Sequence, residues 1–290
     1  MQTAIEIIKD AESRGVAVGH FNISNTEQLW GIFNAARSLE LPIFIGTSEG
    51  ERAFIGPRQA AVLVQSLREQ FNWPIYLNAD HTYSLEKAKE AVDVGYDCVI
   101  FDGAQLSMEE NIAQTKEFVS YVRETRPEVL VEGELGYIGT SSSMMDELPE
   151  GAAVTREEMT SPEEAQRFVE ETGVDLLAPA VGNVHGMMES GRNPNLDTER
   201  ISALREAAGV PLVLHGGSGV SDEDFVSSIE AGMGMVHINT EIRVAFREAL
   251  EQSLQEKPDE IAPYKYMDQA VDAVTESVAN RLKLFNKLDS

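Results

Sequence analysis

The 290-residue chain predicts an α/β fold, a single (β/α)8 barrel with extra N- and C-terminal helices, and three observations carry that prediction. Helical periodicity alternates with short, wholly apolar runs from end to end. Eight such runs occur in order, and strands apolar on both faces belong to parallel sheets covered on both sides. All five histidines stand where one of these runs stops: His20 closes VAVGH, His81 follows PIYLNAD, His185 sits in LLAPAVGNVHG, His215 ends VPLVLH and His237 ends MGMVH. In a barrel, strand ends gather at one rim, where barrel enzymes keep their chemistry. A doubly wound sheet is the competing arrangement; it needs a switch-point crevice and usually fewer strands.

A leading amphipathic helix near 2–14 precedes the first strand, near 16–20. Asn25 or Thr26 opens the next helix, which runs to about 39. LPIFIG (41–46) is the second strand, followed by a loop and a helix near 57–70. PIYLNA (74–79) is the third, with SLEKAKEAVDVG as its helix. DCVIFD (97–102) leads to a helix near 108–125, and EVLVEGELG (128–136) is the fifth strand. A long polar loop, 137–160, precedes the helix SPEEAQRFVEETG. VDLLAPA (174–180) is the sixth strand, and a second long loop carries GNVHGMMESGRNPNLD before a helix near 197–208. VPLVLH (210–215), the helix SDEDFVSSIEAG and MGMVHIN (233–239) complete the eight units; helices near 240–255 and 263–287 finish the chain. No low-complexity linker divides it, so one domain spanning 1–290 is expected.

A net charge of −26 with no basic stripe excludes a nucleic-acid or anionic-membrane partner. Arginine (15) outnumbers lysine (8), which with the acidic excess is compatible with a high-salt cytoplasm. Apolar stretches fall far short of the roughly 20 residues of a membrane span. The N-terminus lacks a basic segment followed by an apolar one, so a cytoplasmic protein is expected. Cys98, the single cysteine, lies inside an apolar run and reads as a small buried hydrophobe.

Metal chemistry is the first functional expectation. His81, His185 and His215 come from three strand ends; three imidazoles leave a fourth position open, as in catalytic zinc sites. Glu134, in VEGELG, is a fourth or alternative ligand, or else a buried charge paired with an arginine. Asp80, beside His81, either orients it or transfers a proton. Adjacent strand residues face opposite ways, so a loop starting at Asp80 is needed for both to enter one site. The run HGGSGVSDEDF presents amides to an anion before a helix capped by Ser221, and Asn239-Thr240 opens a second helix after the eighth strand. Loops after strands seven and eight are the frequent phosphate site of such barrels. All eight lysines fall in helical segments or the C-terminal tail, so a Schiff-base mechanism is not expected.

Taken together, NADHTYSLEKAKEAVDVGYDCVIFDGAQLSMEENIAQTKEFV, VEGELGYIG, VGNVHG, PLVLHGGSGVSDEDF and HINTEIRVAF resemble the class II, zinc-dependent ketose-bisphosphate aldolases, over about residues 16–250. The resemblance implies a TIM barrel that cleaves fructose- or tagatose-1,6-bisphosphate to dihydroxyacetone phosphate and an aldehyde, as a homodimer or homotetramer, with a monovalent cation (Na+ or K+) near the phosphate. It implies that His81, His185 and His215 bind zinc (Zn2+), with Glu134 a ligand when the metal shifts inward. Zinc would polarise the ketose carbonyl, and Asp80 would move the proton of the oxygen at the breaking bond. Gly186, Gly216, Ser218, Asn239 and Thr240 match positions that hold dihydroxyacetone phosphate, and Asn22 and Ser48 match further substrate contacts.

Four departures stand out. Ser142 occupies the place of an expected loop acid, with Asp146, Glu147 and Glu150 nearby but out of register. His237 replaces an asparagine, His20 a small residue, and DHT the commoner DHG. His20 and His237, from neighbouring strands of a closed barrel, are expected to meet over the site and supply acid/base or substrate contacts, or to be neutral packing residues. A non-catalytic stabilising subunit and a metal-dependent hydrolase or isomerase are the rival functions.

Overall fold

The computed structural model describes residues 2–140, 142–190 and 192–288. Helix α1 (Ala4–Ser13) opens the chain, with Thr3 and Glu6 bonding reciprocally as a capping box. It is followed by β1 (Val18–Asn22), α2 (Thr26–Ser38), β2 (Ile43–Thr47), α3 (Glu49–Ile55) and α4 (Pro57–Phe71). Next come β3 (Ile75–Thr82), α5 (Leu85–Val94), β4 (Cys98–Phe101), α6 (Met108–Thr125) and β5 (Leu130–Leu135). A short β6 (Met144–Met145) precedes α7 (Pro162–Thr172), β7 (Leu176–Pro179), β8 (Met187–Met188) and α8 (Thr198–Ala208). The chain ends with β9 (Leu212–Leu214), α9 (Asp222–Ala231), β10 (Met233–Ile238), α10 (Thr240–Glu256), α11 (Pro263–Tyr266) and α12 (Asp268–Phe285).

Eight strands close a barrel in the order β1-β10-β9-β7-β5-β4-β3-β2. The pairs are parallel, with β1 meeting both β2 and β10. Alternate residues of each strand face opposite sides. One set, including Phe21, Ile45, Leu77, Val99, Val131, Leu214 and Val236, packs against the surrounding helices. The other set is apolar only at the lower end: Val18, Phe44, Tyr76, Cys98, Leu130, Leu176, Val213 and Met235 cluster with Ile7 and Ile8 of α1. That helix therefore plugs the bottom of the barrel. Two residues higher along the strands the interior becomes polar, with His20, Asn78, Glu132 and His237, all buried.

Several local expectations are corrected. The segment after β2, expected as a loop, contains α3: Ser48 donates through N and Oγ to Glu51 Oε2 (2.7 and 2.9 Å), which starts a helix despite Gly50. The two long loops are tied together, β6 pairing with β8 through Met144↔Met187 and Met145↔Met188. The last helix is broken at Met267 into α11 and α12. Among the described residues no helix is long and apolar enough to cross a membrane.

Candidate active site

The site begins with an irregularity in β3. Its pairing with β4 passes from Ala79↔Val99 to Thr82↔Phe101, so Asp80 and His81 together oppose Ile100. Such a bulge re-aims side chains that a regular strand would send to opposite faces. His81 takes φ 31°, a left-handed conformation that costs a non-glycine residue about 1–3 kcal/mol. Arg52, from α3, braces it by donating to Asp80 O (3.1 Å) and Thr82 Oγ1 (2.9 Å). The expectation that the chain leaves the strand at Asp80 is thus corrected: the strand continues to Thr82, and the bulge brings both side chains inward.

His81, His185 and His215 converge, their candidate donor atoms all within 4.8 Å of one another. His81 Nε2 and His215 Nδ1 stand 3.0 Å apart. Ring nitrogens sharing one tetrahedral zinc at about 2.0–2.1 Å would stand about 3.3 Å apart. The remote nitrogens are held by carboxylates: His81 Nδ1 meets Asp102 Oδ2 at 2.8 Å, and His215 Nε2 meets Glu132 Oε1 at 2.8 Å. That is the carboxylate–histidine arrangement that orients metal-bound imidazoles. His185 Nε2 is buried with no hydrogen-bond partner among the described residues. Glu134 Oε2 lies 3.1 Å from His81 Nδ1 and 3.6 Å from His215 Nδ1, so its charge faces imidazoles rather than an arginine.

Charge sharpens the case. Asp80, Glu132 and Glu134 are buried and Asp102 nearly so, placing four carboxylates around three imidazoles. Burial raises the carboxyls of Glu132 and Glu134 above their usual range. Burial would lower the His81 imidazole, but Asp80 and Glu134 outweigh it and hold it well above its usual value. For His185 burial prevails, aided by the neighbouring imidazoles, and favours the neutral ring a metal requires. An excess of buried negative charge beside an orphaned imidazole nitrogen fits a divalent cation.

Above these groups opens a narrow cleft, lined by Asn22, Asp80, Ser142, His185, Gly186, Gly216, Gly217, Ser218, His237, Asn239 and Thr240. Ser218 Oγ accepts from the amides of Asn239 (3.3 Å) and Glu241 (3.2 Å), fastening two loops together. Gly216 has φ 62°, and a Cβ there would overlap the Val184 carbonyl, so glycine lets this turn pack on the His185 loop. Among the described residues the N-terminus of α10 has no side-chain cap, and Asn239 Oδ1 is buried without a partner. Ser48 is the exception among the residues expected to contact substrate: its hydroxyl bonds Glu51, and it does not line the cleft. Of the loop acids, Asp146, Glu147 and Glu150 are exposed and away from the cleft.

His20 and His237 do meet, stacked with ring centroids 3.5 Å apart and planes 4° from parallel. Gly46 makes the room, since a Cβ there would overlap His20 Cε1. Although Asp80 joins these two in a cluster of donor atoms, stacked parallel rings hold their lone pairs in two separate parallel planes, which do not meet at one ion. His237 also stacks on His215, centroids 4.3 Å apart.

Sequence reasoning missed Asp102, Glu132, Glu51, Arg52 and Arg243. Asn22 Nδ2 donates to both Glu51 Oε2 and Asp80 Oδ2 at 2.8 Å, and Arg243 reaches Glu51 Oε1 (2.5 Å) and the Ser142 carbonyl (3.0 Å). Glu132 had a readable signal, being two residues from Glu134 on an apolar strand. Asp102 had another, as a charge ending the run DCVIF.

The sequence model of a family described as "Fructose-bisphosphate aldolase class-II" matches residues 2–290. Two relatives agree: a "Probable fructose-bisphosphate aldolase" of Bacillus subtilis (strain 168) is 34% identical over 97% of this chain and 95% of its own. A "Fructose-bisphosphate aldolase" of Staphylococcus aureus (strain N315) is 35% identical over the same shares. Among solved structures, the YdjI aldolase from Escherichia coli K12 superposes with a TM-score of 0.82 at 31% identity, covering 98% of this chain and 97% of that one.

Proposed function

The chain belongs to the class II fructose-bisphosphate aldolase family, and from that premise we propose that it cleaves a ketose 1,6-bisphosphate, fructose-1,6-bisphosphate first and tagatose-1,6-bisphosphate second, to dihydroxyacetone phosphate and an aldehyde. In this reading His81, His185 and His215 hold a zinc ion, with Glu134 as an alternative ligand. When bound, zinc supplies Lewis-acid polarisation of the ketose carbonyl. The observation that carries the reading is the convergence of three imidazoles, two braced by carboxylates and one orphaned, amid four acids.

The chain's own residues do the rest. Asp80, anchored through Oδ2 by Asn22, keeps Oδ1 free to take the proton of the hydroxyl at the breaking bond. The phosphate of the dihydroxyacetone moiety would sit where the Gly216–Gly219 turn, Gly186 and the uncapped start of α10 at Asn239 and Thr240 meet. Local amides supply this attraction against a protein of charge −26. A cytoplasmic homodimer or homotetramer fits the family. A retired, non-catalytic barrel would have no reason to keep this cluster intact.

The test is metal removal with two readouts. Dialysis against chelator should abolish cleavage of fructose-1,6-bisphosphate and release about one zinc per chain, with zinc restoring activity. His185→Ala should lower zinc stoichiometry in the purified protein. Cleavage that survives full metal removal would overturn the proposal.

A further inference from the structure

The glycine turn beside the cleft is held by two side chains, and one of them is an acid. Asn193 donates to the Ser218 carbonyl (2.9 Å) through its side chain and to the Gly219 carbonyl (3.2 Å) through its backbone amide. Glu241 holds the other face: its Oε1 accepts from the Gly219 amide (3.1 Å), and its own amide donates to Ser218 Oγ (3.2 Å). Glu241 lies in the first turn of α10, directly after Asn239 and Thr240, which line the cleft. A carboxylate there steadies the helix but competes with an anionic ligand for the same partial positive charge. In a chain of net charge −26, such an acid opposes phosphate unless a cation answers it at close range.

Arg281, from the C-terminal helix α12, is that cation. Its Nε meets Glu241 Oε2 at 2.7 Å and its Nη2 meets Oε1 at 2.9 Å, the two-pronged grip of a guanidinium on a carboxylate. The remaining Nη1 meets Asp222 Oδ1 (2.6 Å) in the first turn of α9, and the guanidinium carbon stands 5.0 Å from the centre of the Phe225 ring. The Arg281 side chain is 20% exposed and that of Glu241 12%, so water and salt screen this pair less than the surface pairs. Arg281 itself does not line the cleft.

Resting on the aldolase reading, we propose that Arg281 is a positioning residue for the phosphate of the dihydroxyacetone moiety: it neutralises Glu241 and, through Glu241, holds the Gly219 amide in the turn. Two charges then set the sign of every substitution. Without Arg281, an unanswered carboxylate stands behind the turn and repels the ligand. Without the charge of Glu241, a surplus cation stands there and attracts it. Without both, the balance returns. A role as a mere staple between α9, α10 and α12 predicts otherwise, since the double variant would then be at least as impaired as the single one.

Inorganic phosphate is the probe, through its inhibition constant against cleavage of fructose-1,6-bisphosphate, with KM, kcat and zinc content measured on each variant. Arg281→Gln should raise the phosphate inhibition constant and KM by about 10-fold or more, the scale of one charge pair near a protein surface, with kcat within about threefold and zinc content unchanged. Glu241→Gln, which keeps an oxygen for the Gly219 amide, should lower the phosphate inhibition constant by about threefold or more, and the double variant should return to within about threefold of the parent. Should Arg281→Gln not fold, the Glu241→Gln and double variants carry the test. A phosphate constant unmoved by Arg281→Gln, one not lowered by Glu241→Gln, or a double variant no better than Arg281→Gln would each overturn the proposal. A parent protein that neither cleaves the bisphosphate nor binds phosphate would instead sink the aldolase reading, and this role of Arg281 with it.

Discussion

At the scale of single residues, the candidate site depends on carboxylates that hold its imidazoles. Asp102 holds His81 Nδ1 at 2.8 Å and thereby aims Nε2 at His215. Asp102→Asn keeps the shape but loses the charge, and zinc affinity should fall about 10- to 100-fold, read by competition with a chromophoric chelator. An unchanged affinity would show that Glu134, 3.1 Å from the same nitrogen, suffices. The histidines were legible because each ends an apolar run. Their carboxylate partners were less so, because which charge meets which ring depends on register. Arg52 could not be read at all: it braces the bulge from a helix whose existence the local sequence obscures.

At the scale of elements, the eight barrel strands and most helices were legible, since wholly apolar runs alternating with amphipathic segments have few other solutions. What escaped has weak local signals. Helix α3 starts on bonds between Ser48 and Glu51 and carries a glycine at its second position. The β6–β8 pair is two residues per strand and arises only from contact between distant loops. The bulge in β3 looks in sequence like any strand end. Helix α1 was read, but not its task as plug. Ile8, fully buried there among barrel-interior side chains, is the test position. Ile8→Ala should destabilise the fold by about 2–5 kcal/mol, seen as a lower urea midpoint. A shift below about 0.5 kcal/mol would mean that the plug is dispensable.

For the molecule as a whole, charge dominates. With 49 acids against 23 Lys and Arg, 26 acids remain after every cation has found a partner, so repulsion outweighs the surface ion pairs. Salt screens both, but the uncompensated repulsion is the larger quantity. Raising KCl from about 0.05 to 1 M, where the Debye length falls to about 3 Å, should raise the thermal midpoint by roughly 2–6 °C. A falling midpoint would mean that the ion pairs prevail. The stoppered lower end has a further consequence. This barrel is a vessel with one mouth, so on the proposed function cation and sugar would queue through the same doorway. The ion would have to be seated first and leave last, with the bound sugar as the lid that keeps it in.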